Sequence, residues 1–393
     1  MDISPETLAF ITQHKDEKPA DLALKSKKYP LVDIQYAITQ IAGRQVIKDK
    51  VPAFYTTEGI IYPKHLSLEQ CSSELTAGYK AGLLKGDSLI DLTGGFGIDC
   101  TFLAKNFKEV TYIERQTELC DIATNNFRTL GLSHITIKNG DGIEYLKETE
   151  KVDCIFIDPA RRDKHGGKTI SISDCEPDIK EIASLLTDKA DTIMVKLSPM
   201  LDLARALNEL PTTSEVHVIS VDNECKELLL ILRKDSVVEK NIYCINLHKN
   251  GEMDRFDFSR EDEQNMVCYY TPDAEQYLYE PNASIIKAGA YKTISSYYKI
   301  KKLHPNSHLY TSPERVENFP GRVFKVISCF SLNKKEMKEK LGGILKANIT
   351  IRNFPSTVEE LRKRMKLKDG GEDYLFATTL ANEKKIIIHC KKA

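Results

Sequence analysis

The chain has 393 residues, 41% hydrophobic and 29% charged, with a formal net charge of −1. That length exceeds one ordinary core and predicts two or three domains, while the balanced composition excludes a disordered or fibrous chain. Neither a long apolar run nor a basic-then-apolar leader pattern occurs, so the expectation is a cytoplasmic, soluble protein.

From Asp2 to about Leu84 the apolar spacing is helical, as in LVDIQYAITQIAGRQVI, and is interrupted at Pro30, Pro52 and Pro63. This predicts a helical N-terminal region over 1–84. Between Asp87 and Lys234, short apolar runs (SLIDL, EVTYIE, ITIKN, VDCIFID, TIMVKL, EVHVIS, ELLLILRK) alternate with helical patterns (FGIDCTFLAKN, LCDIATNNFRTL, DGIEYLKE, IKEIASLL, DLARALNEL). The alternation predicts an α/β domain over 85–235 with a mostly parallel sheet. NIYCINLH, EMDRFDF and NMVCYY then predict short strands in a β-rich connector, 236–280. Beyond it, Ser284–Tyr298 reads as one helix and RVFKVISCF as a strand. KKEMKEKLGG, ANITIRN, TVEELRKRMK, YLFATTL and KKIIIHC complete one or two small α+β units.

Charge is distributed unevenly. From Pro281 onward there are 23 Lys and Arg against 10 Asp and Glu, leaving 33 against 47 for the rest. A basic last third beside an acidic remainder suits contact with a polyanion, or a basic surface that docks on the acidic domain. The ten cysteines are scattered singly, without a close pair suited to zinc or redox work, and no metal is implied.

The sharpest motif is LIDLTGGFGID, Leu89–Asp99, where a strand enters a Gly-rich turn and then a helix. Glycines there let the main chain approach a ligand, and the helix start leaves N–H donors free. The next strand ends at Glu114, where nucleotide-binding βαβ folds place an acid for the ribose hydroxyls. A third strand leads to Asp141 in a turn before a helix, and a fourth ends at Asp158-Pro159. Each acid alone reads more readily as a helix cap or a solvated turn residue than as a ligand contact. Together they fall at the carboxyl ends of strands, where open α/β sheets bind ligands. The incomplete G-x-G-x-x-G spacing argues against NAD, and the missing Gly-Lys-Ser/Thr excludes a P-loop.

In this order the residues resemble the class I S-adenosylmethionine-dependent methyltransferases, from about Gln70 to Leu210. The resemblance implies a Rossmann-like fold with S-adenosylmethionine across the sheet edge. Asp91, Thr93, Gly94, Gly95 and Gly97 would line the cofactor, the glycines near its methionine part, with Glu114 at the ribose and Asp141 and Gly142 at the adenine. Asp158, Pro159 and Arg161 become the catalytic candidates. DPARR departs from the Asp/Asn-Pro-Pro-aromatic form used on exocyclic amines, which removes the aromatic platform for a flipped base. It looks closer to the Asp-Pro-Pro-Arg of RNA 5-methyluridine methyltransferases, but TIMVKLSPMLDL lacks their cysteine, so Cys175 reads as structural. Arg161, Arg162, Lys164, His165 and Lys168 form a basic loop, either a phosphate contact or a solvated segment. Lys196, Ser198 and Pro199 are expected to border the same pocket, and Gln70, Ser72 and Ser73 either to close over the cofactor or to cap a helix.

The last third resembles the C-terminal region of a bacterial group that carries a ferredoxin-like piece (here 281–321) and a THUMP-like domain (here 322–393) behind a methyltransferase domain. THUMP domains of RNA-modifying enzymes bind tRNA, usually from a position ahead of the catalytic part, whereas here the domain follows it. Arg352, Arg362, Lys363, Arg364, Lys366 and Lys368 are the phosphate-contact candidates, with Phe354 and Tyr374 able to stack on bases. The bland reading of Arg362–Lys368 is the wet face of an amphipathic helix. The resulting expectation is a methyltransferase acting on a base in tRNA or rRNA. The alternatives are a silent RNA-binding module and a methyltransferase of small molecules or proteins.

Overall fold

The structure is a computed structural model and describes residues 3–161, 171–233 and 241–393. The chain divides into two compact units, one formed by 1–215 with 227–238 and the other by 216–226 with 239–393. Among the described residues no helix is long and apolar enough to cross a membrane.

The first unit begins with six helices, α1 (Pro5–His14), α2 (Pro19–Leu24), α3 (Ile34–Lys50), α4 (Pro52–Thr56), α5 (His65–Gln70) and α6 (Glu74–Ala81). Ser4, Asp33 and Ser73 cap α1, α3 and α6 by accepting the backbone N–H of Thr7, Tyr36 and Thr76, and Pro5, Pro19 and Pro52 begin α1, α2 and α4. The long α3 runs past the segment around Tyr62. Gly43 permits this contact, because a Cβ there would lie 2.4 Å from the Tyr62 Cβ, and the Gln40 amide pairs with both backbone groups of Tyr62. α1 and α2 pack on the first half of α3 through Phe10, Leu22, Ala37 and Ile41, while α3 to α6 share a core with the elements that follow: Ile47, Val51, Phe54, Leu68 and Ala77 pack with Phe96, Ile98 and Phe102.

Then come β1 (Ser88–Asp91), α7 (Ile98–Leu103), β2 (Glu109–Glu114), α8 (Thr117–Thr129), β3 (Ile135–Asn139), α9 (Gly142–Glu148) and β4 (Val152–Ile157). A short antiparallel pair follows, β5 (Ala160–Arg161) with β6 (Cys175–Glu176), then α10 (Ile179–Lys189), β7 (Ala190–Leu197), α11 (Leu203–Glu209), β8 (Thr213–Val221) and β9 (Glu224–Leu232). The strands of this unit lie in the order β9, β7, β4, β1, β2, β3, parallel except where β9 meets β7. From central β1 the chain winds outward to β3 and returns to β4 on the other side. The carboxyl ends of β1 and β4 therefore flank a topological switch point.

In the second unit, β10 (Asn241–Leu247) lies between β8 and β11 (Met253–Ser259), and α12 (Arg260–Asn265) follows. The expected strand at NMVCYY does not form; only Tyr270 makes an isolated bridge, to Lys302. Next are β12 (Tyr277–Pro281), α13 (Ala283–Ala288), α14 (Tyr291–Tyr298), β13 (Lys301–Lys302), β14 (Tyr310–Ser312), β15 (Gly321–Phe330), α15 (Lys334–Lys340), β16 (Asn348–Arg352), α16 (Val358–Met365), β17 (Asp373–Thr379) and β18 (Lys385–Lys392). The single helix expected over Ser284–Tyr298 is broken at Gly289, which takes φ 81° as the cap of α13. The Glu263 carboxylate accepts the N–H groups of Tyr291, Lys292 and Thr293 and so starts α14 afresh. Seven strands form one sheet in the order β13, β14, β12, β15, β18, β17, β16.

Candidate active site

The register sets Asp91 of β1 beside Tyr112 of β2 and Phe156 of β4, so the segments leaving these strands emerge side by side. The turn after β1 is held from both neighbours, as Leu92 N–H donates to the Phe156 carbonyl and Gly94 N–H to the Ile113 carbonyl. Gly94 must be glycine because a Cβ would fall 2.1 Å from the Tyr112 ring. Gly97 takes φ 84°, and Gly95, at φ 57°, would bring a Cβ no closer than 3.8 Å to its nearest neighbour, the Thr93 carbonyl oxygen. The result is a bare main-chain cradle at the carboxyl end of β1.

Asp91 is buried and accepts the Thr93 N–H at 3.0 Å. Burial pushes its carboxyl well above the usual carboxylate range, against the pull of that N–H, and the charges of Asp99, Asp158 and Glu114 add to the rise. Glu114 closes the cradle from β2: one oxygen accepts Gly95 N–H at 2.9 Å and the other Gln116 N–H at 2.8 Å. Asp141 caps α9 through the N–H groups of Ile143 and Glu144, and its second oxygen pairs with Arg115. Burial would raise its pKa, but those N–H groups and Arg115 prevail and lower it. Gly142 packs under β1, where a Cβ would lie 2.3 Å from the Leu92 carbonyl oxygen.

Asp158 stands at the end of β4. Its backbone N–H donates to Thr93 Oγ1 at 2.7 Å, which ties it to the glycine turn, and Pro159 behind it is buried. Its carboxylate meets Lys196 Nζ at 2.5 Å. Lys196 also lies 3.4 Å from Asp99, whose other oxygen is 3.1 Å from Lys80 Nζ, and Lys80 in turn donates to Glu227 at 2.6 Å. Ser72 joins the group, donating to Asp99 at 2.7 Å and accepting from Lys80 at 3.0 Å. Burial would raise the Asp99 pKa, but Lys80 and Lys196 hold it at about 2. For Lys196, burial favours the neutral amine, yet Asp158, Asp99 and Glu227 outweigh it and keep the pKa well above the usual lysine value.

Thus Asp91, Thr93, Gly94, Gly95, Gly97, Glu114, Asp158 and Lys196 converge at the ends of adjoining strands. Ser73 caps α6, Gln70 is exposed, and Ser198 accepts the Met200 N–H in the turn after β7. Arg161 pairs with Cys175 through its backbone; its side chain, and Arg162, Lys164, His165 and Lys168, lie outside the described residues. In the second unit, Arg352 donates to buried Glu280 at 2.7 Å and Arg362 to Asp369 at 2.7 Å, while Lys363, Lys366 and Lys368 are exposed. Arg364, together with Phe354 and Lys385, lines a recess of about 340 Å³. Tyr374 is half-buried against Phe324. Sequence reasoning missed Asp99, Lys80 and Glu227. For Asp99 and Lys80 the available signal was a lone charge inside an otherwise uncharged run, as in FGIDCTFL and GYKAGLL, whereas Glu227 stands next to Lys226 at the head of its run and carried no such signal.

A family model for protein-L-isoaspartate (D-aspartate) O-methyltransferase matches residues 62–163, one for a ferredoxin-like domain matches 277–320, and one for a THUMP domain-like unit matches 321–392. The crystal structure of a "putative methyltransferase" from Porphyromonas gingivalis W83 is 34% identical, aligns over 100% of both chains and has a TM-score of 0.88. An rRNA methylase from Streptococcus thermophilus is 14% identical over 40% of this chain and 94% of its own, with a TM-score of 0.31. A SAM-dependent O-methyltransferase from Thermotoga maritima is 17% identical over 46% of this chain and 74% of its own, with a TM-score of 0.33. No protein of curated function matches.

Proposed function

We propose that this chain, which belongs to the family of the Porphyromonas protein with its methyltransferase domain followed by ferredoxin-like and THUMP-like domains, transfers the methyl group of S-adenosylmethionine to tRNA or rRNA. One observation carries the reading: in a chain with a basic THUMP-like region, the bare glycine turn, Glu114 and Asp158 share one edge of the sheet at its switch point. The residues fit the cofactor. Gly94 to Gly97 would leave room for its methionine part, Glu114 would hold the ribose, and Asp141 with Gly142 would border the adenine. When bound, S-adenosylmethionine supplies an electrophilic methyl group; the protein's part is to align the acceptor and stabilise charge that moves during transfer.

The test is methyl transfer from labelled S-adenosylmethionine to RNA from a strain lacking the gene. Label in RNA is expected, and Asp158→Ala should reduce turnover about 10²–10⁴-fold with cofactor affinity kept within a few-fold. Label found only in protein would instead favour the second reading, protein methylation, for which the isoaspartate O-methyltransferase match at 62–163 speaks.

A further inference from the structure

Glu227, Lys80, Asp99, Lys196 and Asp158 form a file of alternating charge, with links of 2.6, 3.1, 3.4 and 2.5 Å. Lys80 is wholly buried, whereas at the other end of the file Asp158, its side chain 37% exposed, and Lys196, 10% exposed, reach the surface beside the glycine turn. Burying ionic groups is costly before pairing, and apolar residues of similar volume would pack as well or better. The array therefore points to its outer end, where it holds a carboxylate and an ammonium side by side.

We propose that the atom methylated is the oxygen of an un-ionised hydroxyl, which in RNA is the ribose 2′-hydroxyl, and that Asp158 takes its proton while Lys196 steadies the oxygen. This rests on the reading of RNA as the acceptor, and it replaces a base with a sugar as the target. The sign of the charges decides between nucleophiles. An amine or ring nitrogen gains positive charge as it attacks, and the Lys196 cation opposes that. A carboxylate acceptor needs no proton removed and is repelled by Asp158. A hydroxyl needs both partners, an acceptor for the proton and a cation for the negative charge that develops on oxygen. Ala160 and Arg161 after Pro159, where an amine-directed site would carry a second proline and an aromatic, agree with the absence of a stacking platform.

The step balances. The O–H bond breaks and its proton passes to the Asp158 carboxylate. The oxygen forms a bond to the methyl carbon, and the bond from that carbon to the donor sulfur breaks with its electron pair left on sulfur. The products are a methyl ether, S-adenosylhomocysteine and a proton released from Asp158 to solvent.

The experiment uses the full chain, S-adenosylmethionine and RNA from a strain lacking the gene, with digestion to nucleosides and mass spectrometry. A methyl on the sugar, at a linkage that resists alkaline cleavage, is expected; a methyl on the base overturns this inference while leaving the RNA reading intact, and no methyl in RNA overturns both. Once the site is mapped, an RNA with a single 2′-deoxynucleotide there should bind within a few-fold yet accept no methyl, whereas methylation of that RNA refutes the proposal. Lys196→Met should cut single-turnover transfer about 10²-fold with S-adenosylhomocysteine affinity by calorimetry within a few-fold. Lys196→Arg, which keeps the cation, should recover part of the rate and serves if Lys196→Met does not fold. A folded Lys196→Met that transfers at the original rate also refutes it.

Discussion

The Glu114 carboxylate accepts the N–H of Gly95 at 2.9 Å, so the acid at the end of β2, proposed above to meet the ribose, also holds the glycine turn in shape. Replacing Glu114 by Ala should weaken cofactor binding by about 1–3 kcal/mol, as expected for the loss of charge-assisted hydrogen bonds. Calorimetric titration with S-adenosylhomocysteine measures this. Unchanged affinity in a folded variant would remove Glu114 from the cofactor site.

Lys80 lies between Glu227 and Asp99, with its side chain fully buried. Lys80→Met leaves Glu227 without its cation and should destabilise the protein by about 3–5 kcal/mol. The double variant Lys80→Met/Glu227→Leu removes the stranded charge and should regain part of that loss. Chemical denaturation of the two variants checks the order; equal stability would show that the pair is not coupled.

His308 stacks on Tyr291 with ring centroids 3.9 Å apart, and its Nδ1 is buried without a hydrogen-bond partner. Burial, with Lys302 and Arg352 adding to it, pushes its pKa down from 6.5 to about 4. Between these values the unfolded chain holds a proton that the folded chain lacks, so His308 subtracts stability as pH falls from about 6.5 to about 4 and has no further effect below that. His308→Asn suits the local φ of 52°. Its stability should fall less steeply than the original protein's across that window, and parallel denaturation profiles would contradict the assignment.

In the THUMP-like region, exposure separates two roles. Lys363→Ala and Arg364→Ala should weaken RNA binding and each lower the salt slope by about one. Arg352→Ala should act on stability instead, by about 1–3 kcal/mol, because its guanidinium satisfies buried Glu280. Filter binding at several salt concentrations, with thermal melts alongside, distinguishes them. An Arg352→Ala variant with unchanged stability and weaker RNA binding would reverse the assignment.

The glycine turn and the acids at the strand ends were legible because each lies in a short local pattern: Gly94, Gly95 and Gly97 in one turn, and Asp158 before a proline. The charge file was not legible. Lys80 and Glu227 are 147 positions apart, on α6 and β9, and only the tertiary fold brings them together. The break at Gly289 was hidden for a related reason. The apolar spacing continues through it, and the cap that restarts α14 comes from Glu263, 28 positions upstream of Tyr291. Arg352 looked like a surface cation since its partner, Glu280, lies on a different strand.

Glu280 has a further consequence. It belongs to the ferredoxin-like match, 277–320, while Arg322 and Arg352, the two cations that hold it, belong to the THUMP-like match, 321–392. The strand that carries it, β12, pairs along its length with β15 of the other match. Cutting the chain at 320 would expose two strand edges and strand a carboxylate, so the two segments are expected to melt as one cooperative block, whatever boundary their sequences suggest.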